Sequence, residues 1–262
     1  MRVANALFWA TEVDGQWENP VNWSDGVVPE PEDDVIIDVA SRDPLITVGK
    51  GPIQIRSLTS HERVRLEGTD LRVSGVIDLH RELTMAGGAL RNTTVIQRQP
   101  NLLRFIPFAT HTLDNVHLIG DLVWNANNGT TVQIRNGFAI EGTFFLDFNR
   151  LQFIGDPTWN IGTLVLGAGT ALGFDGQLTF GPDLVIRGRT ATIQGGTGTL
   201  INQGTMAVDV NAGQLFITAS QFTNEGTIKA EAANSTITIR SANFTNTGVT
   251  QELNGGKIRV NP

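Results

Sequence analysis

Short stretches of alternating apolar and polar residues run along most of the chain. In 63–66, Val64 and Leu66 alternate with arginines, and in 131–134, Val132 and Ile134 alternate with polar residues. Successive side chains of a β-strand point to opposite faces, so this alternation predicts strands with one buried face. Many of these stretches are separated by glycines, which can form the corners between strands. No helical periodicity persists for three turns, so the sequence predicts an all-β protein.

The last quarter of the chain contains a repeat with a fixed period of 22 residues. An Asn-Xaa-Gly turn occurs three times, and a large apolar residue stands two positions before each asparagine. The repeated positions are Asn202, Asn224 and Asn246, Gly204, Gly226 and Gly248, and Leu200, Phe222 and Phe244. The same period relates Ile193, Leu215 and Ile237, and it matches Leu184 to Met206. Strand-like residues between regularly spaced turns predict a solenoid that adds one coil per repeat.

In a parallel solenoid, equivalent residues of successive coils lie directly above one another. The repeated apolar residues would then form ladders in the core, and Asn202, Asn224 and Asn246 would form an internal ladder of hydrogen-bonded amides. Parallel crossovers are right-handed in most folds. We therefore predict one right-handed parallel β-helix over 45–262, with about ten coils of roughly 22 residues. Upstream the spacing becomes an irregular 20 to 25 residues, and 98–108 predicts a longer loop that leaves the solenoid.

Residues 1–44 form a separate, loop-rich segment ahead of the regular strands. This segment contains Trp9, Trp17 and Trp23, three of the five tryptophans in the chain. The end of a solenoid exposes core side chains and unpaired backbone groups, and it therefore needs a cap. We predict that 1–44 is the N-terminal cap. The alternative is a platform of exposed tryptophan rings that stack on sugars.

The negative charge of the chain is concentrated near its N-terminus. The formal net charge is −7, and residues 1–50, with ten acidic and three basic side chains, account for all of it. The neutral remainder has no basic stripe for nucleic acid and no polybasic patch for anionic lipid. No stretch approaches the roughly 20 apolar residues that span a bilayer. We therefore expect neither nucleic-acid binding nor membrane insertion.

Two short segments concentrate side chains that could act as acids, bases or metal ligands. Asp78, His80 and Glu82 alternate along the chain, so we expect them to share one face of a strand, where His80 could act as a general base. The alternative is a solvated strand face whose charges are balanced by neighbouring arginines. A second set, His111, Asp114 and His117, could meet through a turn as a metal site.

The acidic loop at 30–34 is a third candidate site. Asp33 and Asp34, together with Glu30 and Glu32, could ligate Ca²⁺, and the alternative is a solvated loop. The sequence has no Gly-Xaa-Ser-Xaa-Gly motif, no P-loop and no dinucleotide-binding fingerprint. The absence of cysteine also excludes disulfides, thiolate metal sites and cysteine nucleophiles. These observations favour a non-catalytic protein without a cofactor, with Ca²⁺ bound at this loop as the alternative.

Two parts of the chain resemble segments of bacterial surface proteins. The run GQWENPVNWSDGVVPEPEDDVIID, residues 15–38, is similar to the segment that precedes the repeats in many autotransporter passengers. The units LINQGT, FTNEGTI and FTNTGV resemble repeats of right-handed β-helix regions in secreted adhesins and haemagglutinins. This resemblance implies a β-helix and export. It leaves the activity open, because such repeats occur in proteins with many different partners.

The prediction for function is a structural or adhesive segment of a larger exported bacterial cell-surface protein. The N-terminal residues do not form a signal peptide, so an export signal would lie upstream of this chain. A protein or glycan surface would be the partner, and the coils could also associate end to end with a second molecule. The alternative is a carbohydrate-binding β-helix or one that cleaves polysaccharides as a lyase or hydrolase.

Overall fold

The computed structural model describes residues 6–40, 42–124 and 130–261. These residues form an all-β parallel solenoid of about 10 coils with ~22 residues each, which confirms the predicted fold class. A single turn of 3₁₀ helix, Pro20–Asn22, is the only helix of the described residues. That helix is far too short to cross a bilayer, and no membrane-spanning helix occurs in this part of the chain.

The strands are short and follow one another in quick succession. In chain order they are β1 (Ala6–Phe8), β2 (Gly15–Gln16), β3 (Asp34–Ile37), β4 (Leu45–Val48), β5 (Ile53–Ile55), β6 (Ser57–Ser60), β7 (Arg63–Glu67), β8 (Asp70–Val73), β9 (Val76–Leu79), β10 (Leu83–Ala86), β11 (Ala89–Gln97), β12 (Leu103–Phe105), β13 (Thr110–Ile119), β14 (Leu122–Trp124), β15 (Thr131–Glu141), β16 (Thr143–Leu146), β17 (Arg150–Ile154), β18 (Thr158–Leu166), β19 (Thr170–Phe174), β20 (Gln177–Gly188), β21 (Thr190–Gln194), β22 (Thr199–Asn202), β23 (Thr205–Val208), β24 (Gln214–Asn224), β25 (Thr227–Ala230), β26 (Thr236–Asn246), β27 (Val249–Glu252) and β28 (Lys257–Val260). The longer strands, such as β11 and β24, bend at a corner and contribute to two faces of the solenoid.

The solenoid has three faces, and each pairs parallel strands of successive coils. The first face begins with β2, β4, β7, β10 and β12 and continues with β14, β16, the ends of β18 and β20, β23, β25 and β27. The second face contains β1, β3, β6, β9, the ends of β11, β13 and β15, the starts of β18 and β20, β22, and the ends of β24 and β26. The third face contains β5, β8, the starts of β11, β13 and β15, then β17, β19, β21, the starts of β24 and β26, and β28.

Apolar side chains from the three faces fill the interior as ladders. Leu58, Ile77 and Val95 occupy successive rungs of one such ladder on the second face, and all three are fully buried. Burying one side chain of this size contributes roughly 1.5–3 kcal/mol. In the middle coils the interior is aromatic: the ring centroids of Phe105 and Trp124 lie 5.2 Å apart, and Trp124 stacks on Phe144 at 6.4 Å.

The register near the C-terminus differs in two places from the predicted one. Leu215 pairs with Ile237 as expected, but Ile193 pairs with Ile217, and Leu215 faces Ala191. Met206 pairs with Ile186 instead of Leu184. The corner between β23 and β24 is longer than the corner between β20 and β21, so the coil that contains it departs from the 22-residue period.

The upstream coils are shorter than predicted. On the first face Ile46 pairs with Val64, a spacing of only 18 residues. The predicted loop at 98–108 contains β12, and Leu103 and Phe105 are buried in the core. This segment therefore continues the solenoid instead of leaving it, because its two apolar side chains supply a rung that pairs with β10.

Candidate functional site

The first predicted cluster lies at the corner between the second and first faces. Asp78 is in β9, His80 follows that strand, and Glu82 precedes β10, so the three residues do not share one strand face. Asp78 accepts two hydrogen bonds from Arg98, at 2.7 and 2.6 Å, while His80 Nε2 lies 3.7 Å from Asp78 Oδ1. Glu82 Oε2 lies 2.6 Å from Arg104 Nε. Each carboxylate is therefore bound to an arginine of the next coil.

Hydrogen bonding to Arg98 lowers the pKa of Asp78 despite its partial burial. A carboxylate held in its charged form is a poor general acid at neutral pH. The ring of His80 stacks on His61 of the preceding coil, with centroids 3.8 Å apart. The imidazole thus has a face-to-face aromatic neighbour that the local sequence does not indicate.

The second predicted cluster is divided between the inside and the outside of the coil. His111 is fully buried beside Phe105, whereas Asp114 and His117 point outward from the third and second faces. Asp114 contacts Arg91 and accepts a hydrogen bond of 2.7 Å from Asn136 Nδ2. His117 Nε2 lies 3.0 Å from Glu141 Oε1. The described residues contain no group of three or more side chains placed to hold a metal ion.

The geometry around His111 fixes its neutral form. Its Nδ1 accepts a hydrogen bond of 3.3 Å from the Gly87 N–H, and its Nε2 lies 3.1 Å from the Ile106 carbonyl oxygen, to which it can donate. If Nδ1 were also protonated, its N–H would point at the Gly87 N–H, and the hydrogen bond between them would be lost. Burial accordingly lowers the pKa of His111.

The acidic loop is also occupied by protein contacts. Asp33 is buried, and its Oδ2 accepts a hydrogen bond of 2.9 Å from the Glu30 N–H. Asp34 accepts hydrogen bonds from Arg56 Nε at 2.8 Å and from Ser57 Oγ at 2.6 Å. The Arg56 guanidinium is the main reason why the pKa of Asp34 is lowered. These contacts engage carboxylate oxygens of Asp33 and Asp34 that a Ca²⁺ ion would need.

Asn202, Asn224 and Asn246 lie in vertical register at the corner between the second and first faces. Asn202 Nδ2 donates to Asn224 Oδ1 and Asn224 Nδ2 donates to Asn246 Oδ1, both at 2.7 Å. Each of these two donors also lies 3.3 Å from the carbonyl oxygen of a glycine two residues ahead, Gly204 or Gly226. Asn202 and Asn224 are buried, and Asn246 is exposed at the last rung. A ligand on the outside of the coil could not reach the two buried amides. The rings of Phe222 and Phe244, two residues before their asparagines, lie 5.2 Å apart in the same way.

The N-terminal tryptophans form a buried cluster. Trp23 contacts Trp9 and Trp17 edge to face at 5.1 and 4.7 Å, and its Nε1 donates to the Trp17 carbonyl oxygen at 2.7 Å. All three rings are at most 4% exposed, so they offer no platform for sugars. β2 pairs with β4, and β1 pairs with β3. The segment therefore shares sheets with the coils, and a domain boundary at residue 44 stays a prediction.

Two acidic residues of this segment had no assigned role in the sequence analysis. Asp14 Oδ1 accepts a hydrogen bond of 2.8 Å from the Leu45 N–H at the start of β4. Glu18 Oε1 accepts hydrogen bonds of 2.8 Å from the Gly49 and Lys50 N–H groups just after β4. The carboxylates thus satisfy backbone donors at both ends of one strand.

A polar groove of about 650 Å³ lies at the corner between the third and second faces. Three of its asparagines form hydrogen bonds with neighbouring side chains: Asn115 Nδ2 donates to Asn92 Oδ1 at 3.2 Å, and Asn136 donates to Asp114. Asn92, Asn115 and Asn136 each have φ of 53°, a left-handed conformation that asparagine tolerates well. This groove is therefore explained as a series of tight corners.

A second groove of about 330 Å³ lies between the first face and the corner that follows it. We name it the aromatic groove and define it by Phe145, Asp147, Phe148, Val165, Arg187, Asp209 and Val210. Phe145 pairs with Val165, and Val165 pairs with Arg187, so the groove crosses successive coils. Arg187 binds Asp209 through Nη1 and Oδ2 at 2.9 Å.

Phe148 has an unusual conformation for a bulky side chain. Its φ is 54°, and 43% of the residue is exposed. The equivalent corners of later coils use Gly169, Ala212 and Asn234 in the same left-handed region. Phe108, at an earlier corner, has φ of 58° and is 87% exposed. A left-handed backbone costs a residue with a Cβ roughly 1–2 kcal/mol, so the two phenylalanines are unfavourable for folding at these positions.

The aromatic groove was not found from the sequence, although a signal for half of it exists. Phe144 and Phe145 are adjacent in the sequence, so if this stretch is a strand, one of the two rings has to point outward. The left-handed conformation of Phe148 has no such signal.

The chain was compared with family models, curated proteins and solved structures, and it matches none of them.

Proposed function

We propose that this chain is a non-catalytic structural and adhesive β-solenoid segment of a larger exported bacterial cell-surface protein. The observation that carries the proposal is the pairing of the acids that were candidates for catalysis, Asp78 and Glu82, and of Asp114, a candidate metal ligand. Asp78, Glu82 and Asp114 each contact an arginine of a neighbouring coil. Such pairs connect neighbouring coils, and none of these three acids belongs to a free carboxylate couple of the kind that glycoside hydrolysis needs.

The continuous core supports the same proposal. Each repeat of a solenoid contacts its neighbours, so the fold produces an extended surface on which a partner can be bound at several points. A glycan or protein surface is the proposed partner, and the cell exterior is the proposed location. End-to-end association with a second copy is a further proposal, and light scattering over a range of protein concentrations tests it.

The experiment that tests the function combines attachment and cleavage assays. The purified chain, coupled to beads, is applied to arrays of immobilised glycans and extracellular proteins, and soluble polysaccharides are incubated with it and assayed for new reducing ends. We expect retention on at least one surface and no new reducing ends. Reducing ends that disappear in Asp78→Asn or Glu82→Gln would establish the alternative, a polysaccharide-cleaving enzyme. Failure to attach to any surface would contradict adhesion.

A further inference from the structure

We propose that the polar groove, at the corner between the third and second faces, is a binding site for a neutral oligosaccharide chain. This inference rests on the proposed adhesive function and specifies its ligand class. The groove crosses five successive coils, those of Ser74, Asn92, Asn115, Asn136 and Thr158. At the spacing of parallel strands this is a length of about 19 Å, which suits a chain of several sugars.

The asparagines of the polar groove keep part of their hydrogen-bonding capacity free. In the buried ladder of Asn202 and Asn224, each amide nitrogen reaches the next asparagine at 2.7 Å. The exposed Asn92, Asn115 and Asn136 form only one bond between amides, from Asn115 to Asn92. Within the described residues, Asn92 Nδ2 and the Oδ1 atoms of Asn115 and Asn136 form no hydrogen bond. Both donors and acceptors are therefore left for a ligand.

The wall formed by the second face adds two hydroxyl groups and an imidazole. Within the described residues, Thr94 Oγ1, Thr158 Oγ1 and His117 Nδ1 form no hydrogen bond, and none of these atoms is shielded from solvent. His117 Nε2, in contrast, is shielded and lies 3.0 Å from Glu141 Oε1. A proton on Nε2 faces this carboxylate, which leaves Nδ1 as an acceptor that a ligand can reach.

The apolar residues that line the polar groove contribute little surface to it. Val116 and Phe138 are 2% and 4% exposed, and Pro157 is buried. Lipid chains and the apolar side chains of peptides are bound by apolar pockets, which this lining does not form. The hydroxyl groups of a sugar can donate and accept, so they match a row of amides and hydroxyls. The lining therefore favours a sugar over a peptide or a lipid.

The charges at the polar groove favour a neutral sugar. Among the described residues, no lysine or arginine lines it, and its one carboxylate is that of Asp156. The two arginines that precede Asn92 and Asn136, Arg91 and Arg135, are bound to side chains of the third face. An anionic sugar would meet a carboxylate in the groove without a cation to balance its own charge.

The test measures the binding of neutral glucose, mannose and N-acetylglucosamine hexasaccharides by isothermal titration calorimetry, with a hexauronate as the anionic probe. The main variant is Asn115→Gly, which removes the central amide and suits the left-handed backbone. Asn234→Gly is the matched control, because Asn234 is an exposed asparagine with φ of 56° at a corner outside the groove. Thr94→Val removes one hydroxyl of the wall and keeps a β-branched residue in its strand. Circular dichroism establishes that each variant is folded.

We expect at least one neutral hexasaccharide to bind and the hexauronate not to bind. Asn115→Gly and Thr94→Val should each weaken the binding about fivefold, the effect of one lost hydrogen bond. Asn234→Gly should leave the affinity unchanged.

Three results would overturn the assignment: no binding of any neutral hexasaccharide, binding of the hexauronate at least as tight as that of the neutral chains, or native affinity in both Asn115→Gly and Thr94→Val. An equal loss in Asn115→Gly and Asn234→Gly would also overturn it. If the chain attaches to extracellular proteins but binds no hexasaccharide, the carbohydrate site is wrong and the adhesive function stands. If it attaches to no surface and binds no hexasaccharide, both are wrong.

Discussion

The buried amide ladder allows a quantitative test of the solenoid's vertical register. In Asn224→Ala the middle rung is lost: the bond from Asn202 loses its acceptor, and Asn246 loses its donor. Asn202 and Asn224 are buried, so bulk water does not replace the lost acceptor of Asn202 Nδ2, whereas the exposed Asn246 can bind water instead. What remains for Asn202 Nδ2 is the Gly204 carbonyl oxygen at 3.3 Å and the Thr227 carbonyl oxygen at 3.5 Å.

The expected loss of stability follows from these contacts. Each hydrogen bond contributes about 1 kcal/mol net, and a buried donor left poorly satisfied costs about 1–3 kcal/mol. We therefore expect Asn224→Ala to lower the free energy of unfolding by roughly 3 kcal/mol. For a chain of this size that corresponds to a fall in Tm of about 6–12 °C, and to a larger fall if only the last coils unfold together.

The assay is thermal and urea unfolding followed by circular dichroism, with Asn246→Ala as the matched control. Asn246→Ala removes one hydrogen bond, the one from Asn224 Nδ2, at the exposed end of the ladder, so it should cost about 1 kcal/mol. Asn224→Asp has nearly the same shape but lacks the donor to Asn246. Near neutral pH it should destabilise at least as much as alanine does. If Asn224→Ala and Asn246→Ala unfold alike, or if Asn224→Asp is as stable as the native chain, the amide ladder does not stabilise the coils.

Three further predictions concern the buried side chains of Glu62 and His111 and the close backbone packing at Gly88. Burial raises the pKa of Glu62 in the folded protein, so the protonated side chain is compatible with the fold and the charged one destabilises it. The stability contributed by the protonated form is complete below the unfolded pKa and is lost as pH rises through the folded pKa. Glu62→Gln should therefore raise Tm at pH 7 and change it little at pH 4. Burial lowers the pKa of His111, so the stability that is complete above the unfolded pKa of about 6.5 is lost as pH falls through the folded pKa. Urea unfolding at pH 7 and at pH 5 measures this loss of unfolding free energy, and the loss should be smaller in His111→Gln than in the native chain. Gly88→Ala should give insoluble protein, because a Cβ at φ of 75° would overlap the Thr69 carbonyl oxygen, whereas Gly26→Ala, with open space around it, should stay soluble.

The fold class could be predicted because the last coils have corners of equal length. Asn202, Asn224 and Asn246 keep one spacing, so the period is visible and like residues lie in register. The register of Ile193 could not be predicted from that period. Corners tolerate insertions at little cost, and the extra residues between β23 and β24 shift the apparent repeat without changing the core.

The location of the aromatic groove required the backbone conformation as well as the sequence. Period-two alternation assigns Phe144 and Leu146 to the core and places Phe145 outside, as the structure has them. For Phe148 the alternation ends at the corner. A phenylalanine in a short apolar run is usually buried, and only the left-handed φ turns this ring towards the groove.

The candidate acids show why local sequence is a poor guide to chemistry in a solenoid. In an isolated strand, residues two positions apart lie on the same face, so Asp78, His80 and Glu82 together suggest an acid–base cluster. In the coil the nearest cation of Asp78 is Arg98, 20 residues further along the chain, and that of Asp34 is Arg56, 22 residues further. The same vertical register that places asparagine above asparagine also places arginine above aspartate. A carboxylate of such a chain should therefore be considered for catalysis only after the residue one coil away is known; Asp209, for example, binds Arg187, which lies 22 residues earlier in the chain.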